Sequence, residues 1–472
     1  MTTYQTLTSP RYFVSFVAFI GALGGLLFGF DTGVIAGALL FINKSFPLTT
    51  GLKEIVVSSV VLGAFFSSLF SGKLADLWGR RTMLMFSALA FIIGTLLTIF
   101  ATTTACLIVG RLIVGCAIGI SSYTVPLFIS EMAPQKHRGS LVLLNAITIT
   151  GGQACAFLVC YYFATSGNWR MMFGIGLVPA TLLLIGMLFS PSSPRWLVLK
   201  GFPDKAKVIL EKIRSGNVDN ELQGIKESFS LKPASWPSLF SKRLRPVLLV
   251  GVGLGILQQA VGINTVMYYG PTLFKAAGFQ NASSQILATF GMGLVNAVMS
   301  LITLLIIDKV GRRKLLLIGA SIAGISLFFV GYHFYIQTTT LWLRWLSVAG
   351  LVCYIAGYSI SVGSLFWLII AEIYPLNIRG QAMSFVTAVQ WAANFVITMS
   401  FLTIIQAIGP AYTLWLYGTM CFICVGFCYV MVPETKNISL ETIEKNLTAG
   451  KPARQLGQTI LTHERHEEMK SC

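Results

Sequence analysis

Two charged residues stand inside apolar stretches where a charge needs a reason: Asp31, between Tyr12 and Ile42, and Arg111, soon after Ala105. A charge at mid-bilayer costs about 2.5–3.5 kcal/mol even on a lenient insertion scale, so each needs a partner or a task. Counted along helices, Asp31 lies eleven residues (42 − 31), about 16 Å, from the end of its stretch. Arg111 lies six residues (111 − 105), about 9 Å, from the start of its own. The two depths fall in the same half of a membrane, within reach of each other. An adjacent cation favours the charged form of a carboxylate, and a dry cavity without one favours the protonated form. A contact made and broken in a conformational cycle would therefore release and capture a proton.

A second group is uncharged. Gln258, Gln259 and Asn264 share one apolar stretch interrupted by Gly255, Gly262 and Gly270 and ended by Pro271. In a helix, positions 258, 262 and 265 share a face, with 259 beside it and 264 close to the same side. Amides donate and accept at once, which suits neutral hydroxyl groups. Hydrogen bonding between helices, with no ligand, is the alternative use of such a cluster.

The elements that position these groups are membrane spans. The chain has 472 residues, 55% hydrophobic and 11% charged, with a mean hydropathy of +0.76. Soluble domains carry about 25% charged residues, and stretches of about twenty apolar residues suffice to cross a bilayer. Such stretches fall near 12–42, 55–75, 82–101, 105–130, 139–163 and 170–190, then near 246–276, 284–307, 314–336, 341–371, 381–407 and 411–432. The expected fold is an all-α polytopic membrane protein of about twelve spans. Its parts are an N-terminal bundle at 1–191, a linker with short amphipathic helices at 192–245, a C-terminal bundle at 246–433 and a tail at 434–472.

The net charge of +17 does not indicate nucleic acid, because Lys and Arg sit between the apolar stretches and not on one face. Alternate loops are rich and poor in them, which predicts a cytoplasmic rich side carrying both termini. The first stretch is too long for a cleavable signal. Cys421, Cys424 and Cys428 have metal-like spacing but share one apolar span with no charged neighbour, so packing is expected and no metal site.

The two halves repeat. Asp76-Leu-Trp-Gly-Arg-Arg81 returns as Asp308-Lys-Val-Gly-Arg-Arg313, 232 positions on (308 − 76), and Glu131…Arg138-Gly returns as Glu372…Arg379-Gly, 241 positions on (372 − 131). Paired six-span halves suit a transporter that rocks one half against the other about a central site. Asp76, Arg80, Arg81, Glu131 and Arg138, with Asp308, Arg312, Arg313, Glu372 and Arg379, are the candidate cytoplasmic gate. Glu131 and Glu372 are expected to pair with Arg81 and Arg313 and to hold the two halves together when that gate is shut.

Gly25-Leu-Leu-Phe-Gly-Phe-Asp31, Asp76…Arg81, Gly110-Arg111, Pro126…Glu131-Met-Ala-Pro134 and Pro194-Arg195-Trp196 stand in the first half. Gln258-Gln259…Asn264…Tyr268-Tyr269, Ala371-Glu372-Ile-Tyr-Pro375…Arg379-Gly380 and Pro433-Glu-Thr-Lys436 follow in the second. In this order they resemble the sugar porters of the major facilitator superfamily, and among them the bacterial xylose-, arabinose- and galactose–proton symporters. The resemblance implies a monosaccharide transporter, not an enzyme, with the proton as coupling ion and no cofactor. It implies that Asp31 and Arg111 couple the proton, uncoupled relatives having asparagine at the first position. It assigns Gln153, Gln258, Gln259, Asn264, Asn296, Trp367, Gln390 and Trp391 to the sugar, with Phe28 and Tyr268 nearby. A bacterial inner-membrane protein working as a monomer is expected, its partners being sugar, protons and lipid.

Three departures stand out. Ala146 replaces a glutamine, so one sugar hydrogen bond is absent or comes from Asn145 or water. Gly363-Ser364-Leu365 replaces Gly-Pro-Val, and Pro191-Ser192-Ser193 lacks a carboxylate. An uncoupled facilitator and a non-transporting sensor are the rival readings. The short tail disfavours the sensor, and the scattered histidines at 137, 333, 463 and 466 disfavour an enzyme.

Overall fold

The computed structural model describes residues 10–134, 138–214, 218–230, 236–336, 341–375, 378–436, 438 and 440–458. Eleven helices among these are long and apolar enough to cross a membrane. In the first half they are α1 (Pro10–Ser45), α2 (Thr50–Trp78), α3 (Arg80–Ile99), α4 (Thr104–Met132), α5 (Arg138–Ala164) and α6 (Trp169–Phe189). In the second they are α7 (Arg245–Tyr268), α8 (Ala282–Val310), α9 (Arg312–Ile336), α10 (Trp345–Ile373) and α11 (Arg379–Met431). With 53 residues, α11 is about 80 Å long, more than twice a hydrocarbon core. Gly409, at φ 83°, and Pro410 break it into two limbs. The eleven helices thus make twelve crossings.

Polar side chains start several spans. Thr49, Thr103 and Asn168 each accept a backbone N–H from the first turn of the helix that follows. The Gly-Arg-Arg turns need their glycines: Gly79 and Gly311 end α2 and α8 at φ 90° and 99°, where other residues are strained. Both are also crowded, a Cβ on Gly79 meeting the Trp196 ring at 3.0 Å and one on Gly311 the Glu434 carboxylate at 2.7 Å.

The core of the first half is set by close approach of α1 and α5. A Cβ on Gly29 would lie 1.7 Å from the Ile149 carbonyl oxygen, and one on Gly33 2.6 Å from that of Gln153. Small residues let backbones touch where lipid supplies no hydrophobic drive. Outward faces are apolar and exposed, as at Phe70, Phe189 and Leu305, which suits contact with lipid.

The linker helices Pro203–Ile213 and Asp219–Ser230 bury Leu210 and Ile213 and leave Val208 exposed. Arg214 ties them to α4: it pairs with Glu221 at 2.9 Å and donates to the Met132 and Ala133 carbonyls at 2.9 and 3.1 Å. After α11, helix Leu440–Thr448 is held by Asn446, which donates to the Leu456 and Gln458 carbonyls.

Candidate functional site

Asp31 and Arg111 form a buried ion pair between α1 and α4. The two residues are 3% and 1% exposed, so neither charge has water to fall back on. Phe173, at 5.3 Å, covers the guanidinium from the α6 side. The pair is not isolated. Tyr268, at the end of α7, lies close enough to feel both charges, with Thr32, next to Asp31, and Asn394 of α11 near its hydroxyl. A hydroxyl of the C-terminal bundle thus stands beside the charge pair of the N-terminal one.

The amides converge beside it. Gly262, at φ 86°, breaks α7 and brings Asn264 back toward the preceding turn. There Asn264 donates to Gln259 at 2.7 Å, Gln259 to Gln258 at 3.4 Å, and Gln390 of α11 to Gln258 at 3.2 Å. Gln258 donates in turn to the Val362 carbonyl at 3.1 Å. That carbonyl is reachable because α10 loses regular geometry at Ser361 (φ −100°, ψ −119°). No proline is needed. Ser359, Ser361 and Ser364 each donate to a carbonyl of the same helix, a pattern that bends helices. Across the bundle boundary Asn296 of α8 donates to Gln153 of α5 at 3.4 Å and accepts from Ser359 at 2.7 Å.

Among the buried polar atoms without a hydrogen-bond partner are the Gln390 Oε1 acceptor and the Trp391 Nε1 donor. They come from adjacent residues, and Phe28 of α1 lies 5.6 Å from the Trp391 ring. Unpaired buried donors and acceptors are costly. One of each sign beside an aromatic face is what a sugar ring, with its hydroxyls and apolar C–H face, can satisfy.

The structure therefore gathers Phe28, Gln153, Gln258, Gln259, Asn264, Tyr268, Asn296, Gln390 and Trp391. Trp367 makes none of these hydrogen bonds: it is 41% exposed, and its ring contact is with Phe366. Asn145, beside the alanine at 146, lies against α1. Its Oδ1 packs against the α1 backbone, 2.4 Å from where a Gly25 Cβ would be. Sequence reasoning passed over Thr32, Ser359 and Asn394. Asn394, buried and three residues after Trp391, was the detectable one, since an amide in an apolar span needs a partner.

The gate residues differ from expectation in two ways. Glu131 pairs with Arg80, at 3.1 Å, and not with Arg81; Glu372 pairs with Arg312, at 3.1 Å, and not with Arg313. Arg81 instead donates to the Met187 and Leu188 carbonyls and Arg313 to that of Tyr429, capping the ends of α6 and α11. Adjacent helical residues point about 100° apart, so only the first arginine after each glycine turns inward. The pairs also lie within each bundle and do not join the halves. Asp76 and Asp308 bond the same arginines at 2.9 and 3.0 Å, and Ser193 and Thr435 donate to Glu131 and Glu372. Arg379 donates to the Tyr374 carbonyl. The Arg138 side chain lies outside the described residues, as do His137, His463 and His466. Cys421, Cys424 and Cys428 are buried on one limb of α11.

Residues 17–447 match the family described as sugar (and other) transporter. The chain belongs to the sugar transporter family. It is 40% identical over 462 residues to the arabinose-proton symporter of Escherichia coli K12, covering 96% of this chain and 98% of that one. It is 39% identical over 452 residues to a D-xylose transporter of Levilactobacillus brevis, covering 94% and 98%. Among solved structures it resembles a partially occluded inward open conformation of the E. coli xylose transporter XylE, with TM-score 0.80, 29% identity and coverage of 90% and 99%. This sugar transporter chain thus shares the all-α major facilitator fold.

Proposed function

We propose that this transporter carries a neutral monosaccharide across the membrane together with a proton, by alternating access between its two bundles. The observation that carries the reading is the buried Asp31–Arg111 pair, with Tyr268 of the other bundle close enough to feel both charges. In the cycle, Asp31 takes a proton from outside and leaves Arg111. Sugar then fills the site, satisfying Gln390 Oε1 and Trp391 Nε1, the bundles rock, and the proton is released inside as the ion pair re-forms. The proton and the ion pair alternate because the Arg111 cation favours the ionised carboxylate while the two are in contact, and a dry cavity favours the protonated acid once they part. The relatives named as arabinose-proton symporter and D-xylose transporter support this class of substrate.

The orientation follows from charge: the arginine turns face the cytoplasm with both termini, in a bacterial inner membrane, and one chain suffices. The gate carboxylates Glu131 and Glu372 would then act by stiffening each bundle on that side.

Asp31→Asn tests the coupling. In proteoliposomes the variant should bind sugar and exchange it across the membrane yet fail to concentrate it when a proton gradient is imposed. A variant that still concentrates sugar, regardless of whether the gradient is collapsed, would make this an uncoupled carrier or one driven otherwise.

A further inference from the structure

Glu54 is a buried carboxylate that the transport scheme above does not use. It lies one turn into α2, is 2% exposed, and has no Lys, Arg or His within ion-pair distance among the described residues. What holds it is the other bundle. Thr403, on the first limb of α11, donates its backbone N–H to Glu54 Oε1 and its hydroxyl to Oε2, each at 2.7 Å. A helical amide ordinarily donates to the carbonyl four residues earlier, so aiming this one at a carboxylate from another bundle is specific. The contact is part of a seam. Gln406 donates to Thr50 at 2.6 Å one turn further out, and Ser58 donates to the Met399 sulfur at 3.2 Å one turn further in. Behind it Tyr269 stacks on Phe401 at 5.1 Å, and Phe401 on Tyr417 at 6.1 Å.

These contacts lie at the start of α2 and the end of the first limb of α11, the ends opposite the arginine turns. The hydrogen bonds at Thr50, Glu54 and Ser58 each join α2 of the N-bundle to α11 of the C-bundle, unlike the ion pairs of Glu131 and Glu372. We propose that Glu54 is the latch of the outer gate: its carboxylate, gripped by Thr403 across the seam, biases the transporter toward the outward-closed state. Calling this side outer rests on the orientation proposed above; the latch itself does not. The physical logic is two-state. Closed, the carboxylate exchanges water for two charge-assisted hydrogen bonds. Open, water returns to it, and the Thr403 hydroxyl and amide are released. Both end states satisfy the charge, so the latch can bias the gate without locking it.

The test is hydrogen–deuterium exchange of the full chain in nanodiscs, comparing the parent with Glu54→Ala, Glu54→Gln and Thr403→Val. Removing both hydrogen bonds should raise the open population roughly tenfold to a hundredfold. In E54A, exchange should rise in peptides over 46–60 and 398–408 and should not rise over 70–82 and 308–316. E54Q keeps the size and one carbonyl acceptor, and should lie between E54A and the parent. T403V loses only the hydroxyl and should also lie between. Parent-like exchange in E54A, or an equal rise at both faces, overturns the latch. Should E54A fail to fold, parent-like exchange in both E54Q and T403V overturns it as well. Because the readout is local opening and not uptake, it stands or falls separately from proton coupling.

Discussion

At the scale of single residues, the two unpaired atoms of the amide cluster make the sharpest prediction. Trp391 Nε1 is buried with no acceptor, so Trp391→Phe removes a donor that the empty protein does not use. A hydrogen bond to a neutral hydroxyl contributes about 0.5–1.5 kcal/mol net, so half-saturation for the transported sugar should rise roughly two- to tenfold. Thermal stability should change only by the lost ring volume. Measuring both separates a sugar contact from packing: a large drop in unfolding temperature with unchanged affinity would remove Trp391 from the site. Asp31 and Arg111 were legible in the sequence because a charge inside an apolar stretch demands a partner of opposite sign. The choice between Arg80 and Arg81 was not, since it depends on where α3 begins around Gly79, and one residue of phase turns a side chain from core to surface.

At the scale of elements, the site depends on how closely α1 approaches α5. A Cβ on Gly29 would sit 1.7 Å from the Ile149 carbonyl oxygen, against backbone that cannot yield. Gly29→Ala should therefore separate the two helices, displace Gln153, and cost about 1–3 kcal/mol or more, as overpacking does. Gly151, on α5, has open space where its Cβ would go. Gly151→Ala should be neutral or stabilising by up to about 1 kcal/mol, because alanine is the better helix former. Unfolding midpoints of the two variants in one detergent check the contrast, and equal effects would mean that contact between α1 and α5 does not govern the bundle. Spans were legible from apolar length alone. The bend in α10 was not: the sequence showed the absence of a proline, whereas the bend comes from serines hydrogen-bonding to their own helix, a local competition that hydropathy does not register.

At the scale of the whole molecule, the repeat in the sequence becomes a repeat of chemistry. Arg80 with Asp76, Glu131 and Ser193 in one bundle matches Arg312 with Asp308, Glu372 and Thr435 in the other. The recurring loop motifs revealed that duplication, but not that each network closes within its own bundle. Contacts between bundles lie elsewhere, at Glu54 and Thr403, between Gln153 and Asn296, and at Tyr268. This division predicts additivity. Glu131→Gln should cost about 1.5–3 kcal/mol, since its side chain and that of Arg80 are 5% and 7% exposed while Asp76 still pairs with Arg80. Glu372→Gln should cost less, its side chain being 23% exposed. If the networks are separate, the double variant should lose the sum of the two within about 0.5 kcal/mol. Local hydrogen exchange near residues 80 and 312 reads each bundle on its own, which avoids treating a two-bundle protein as one cooperative unit. A change near 312 in the Glu131→Gln variant alone, or a deviation from additivity well beyond that margin, would mean that the arginine networks reach across the interface and are themselves part of the moving gate.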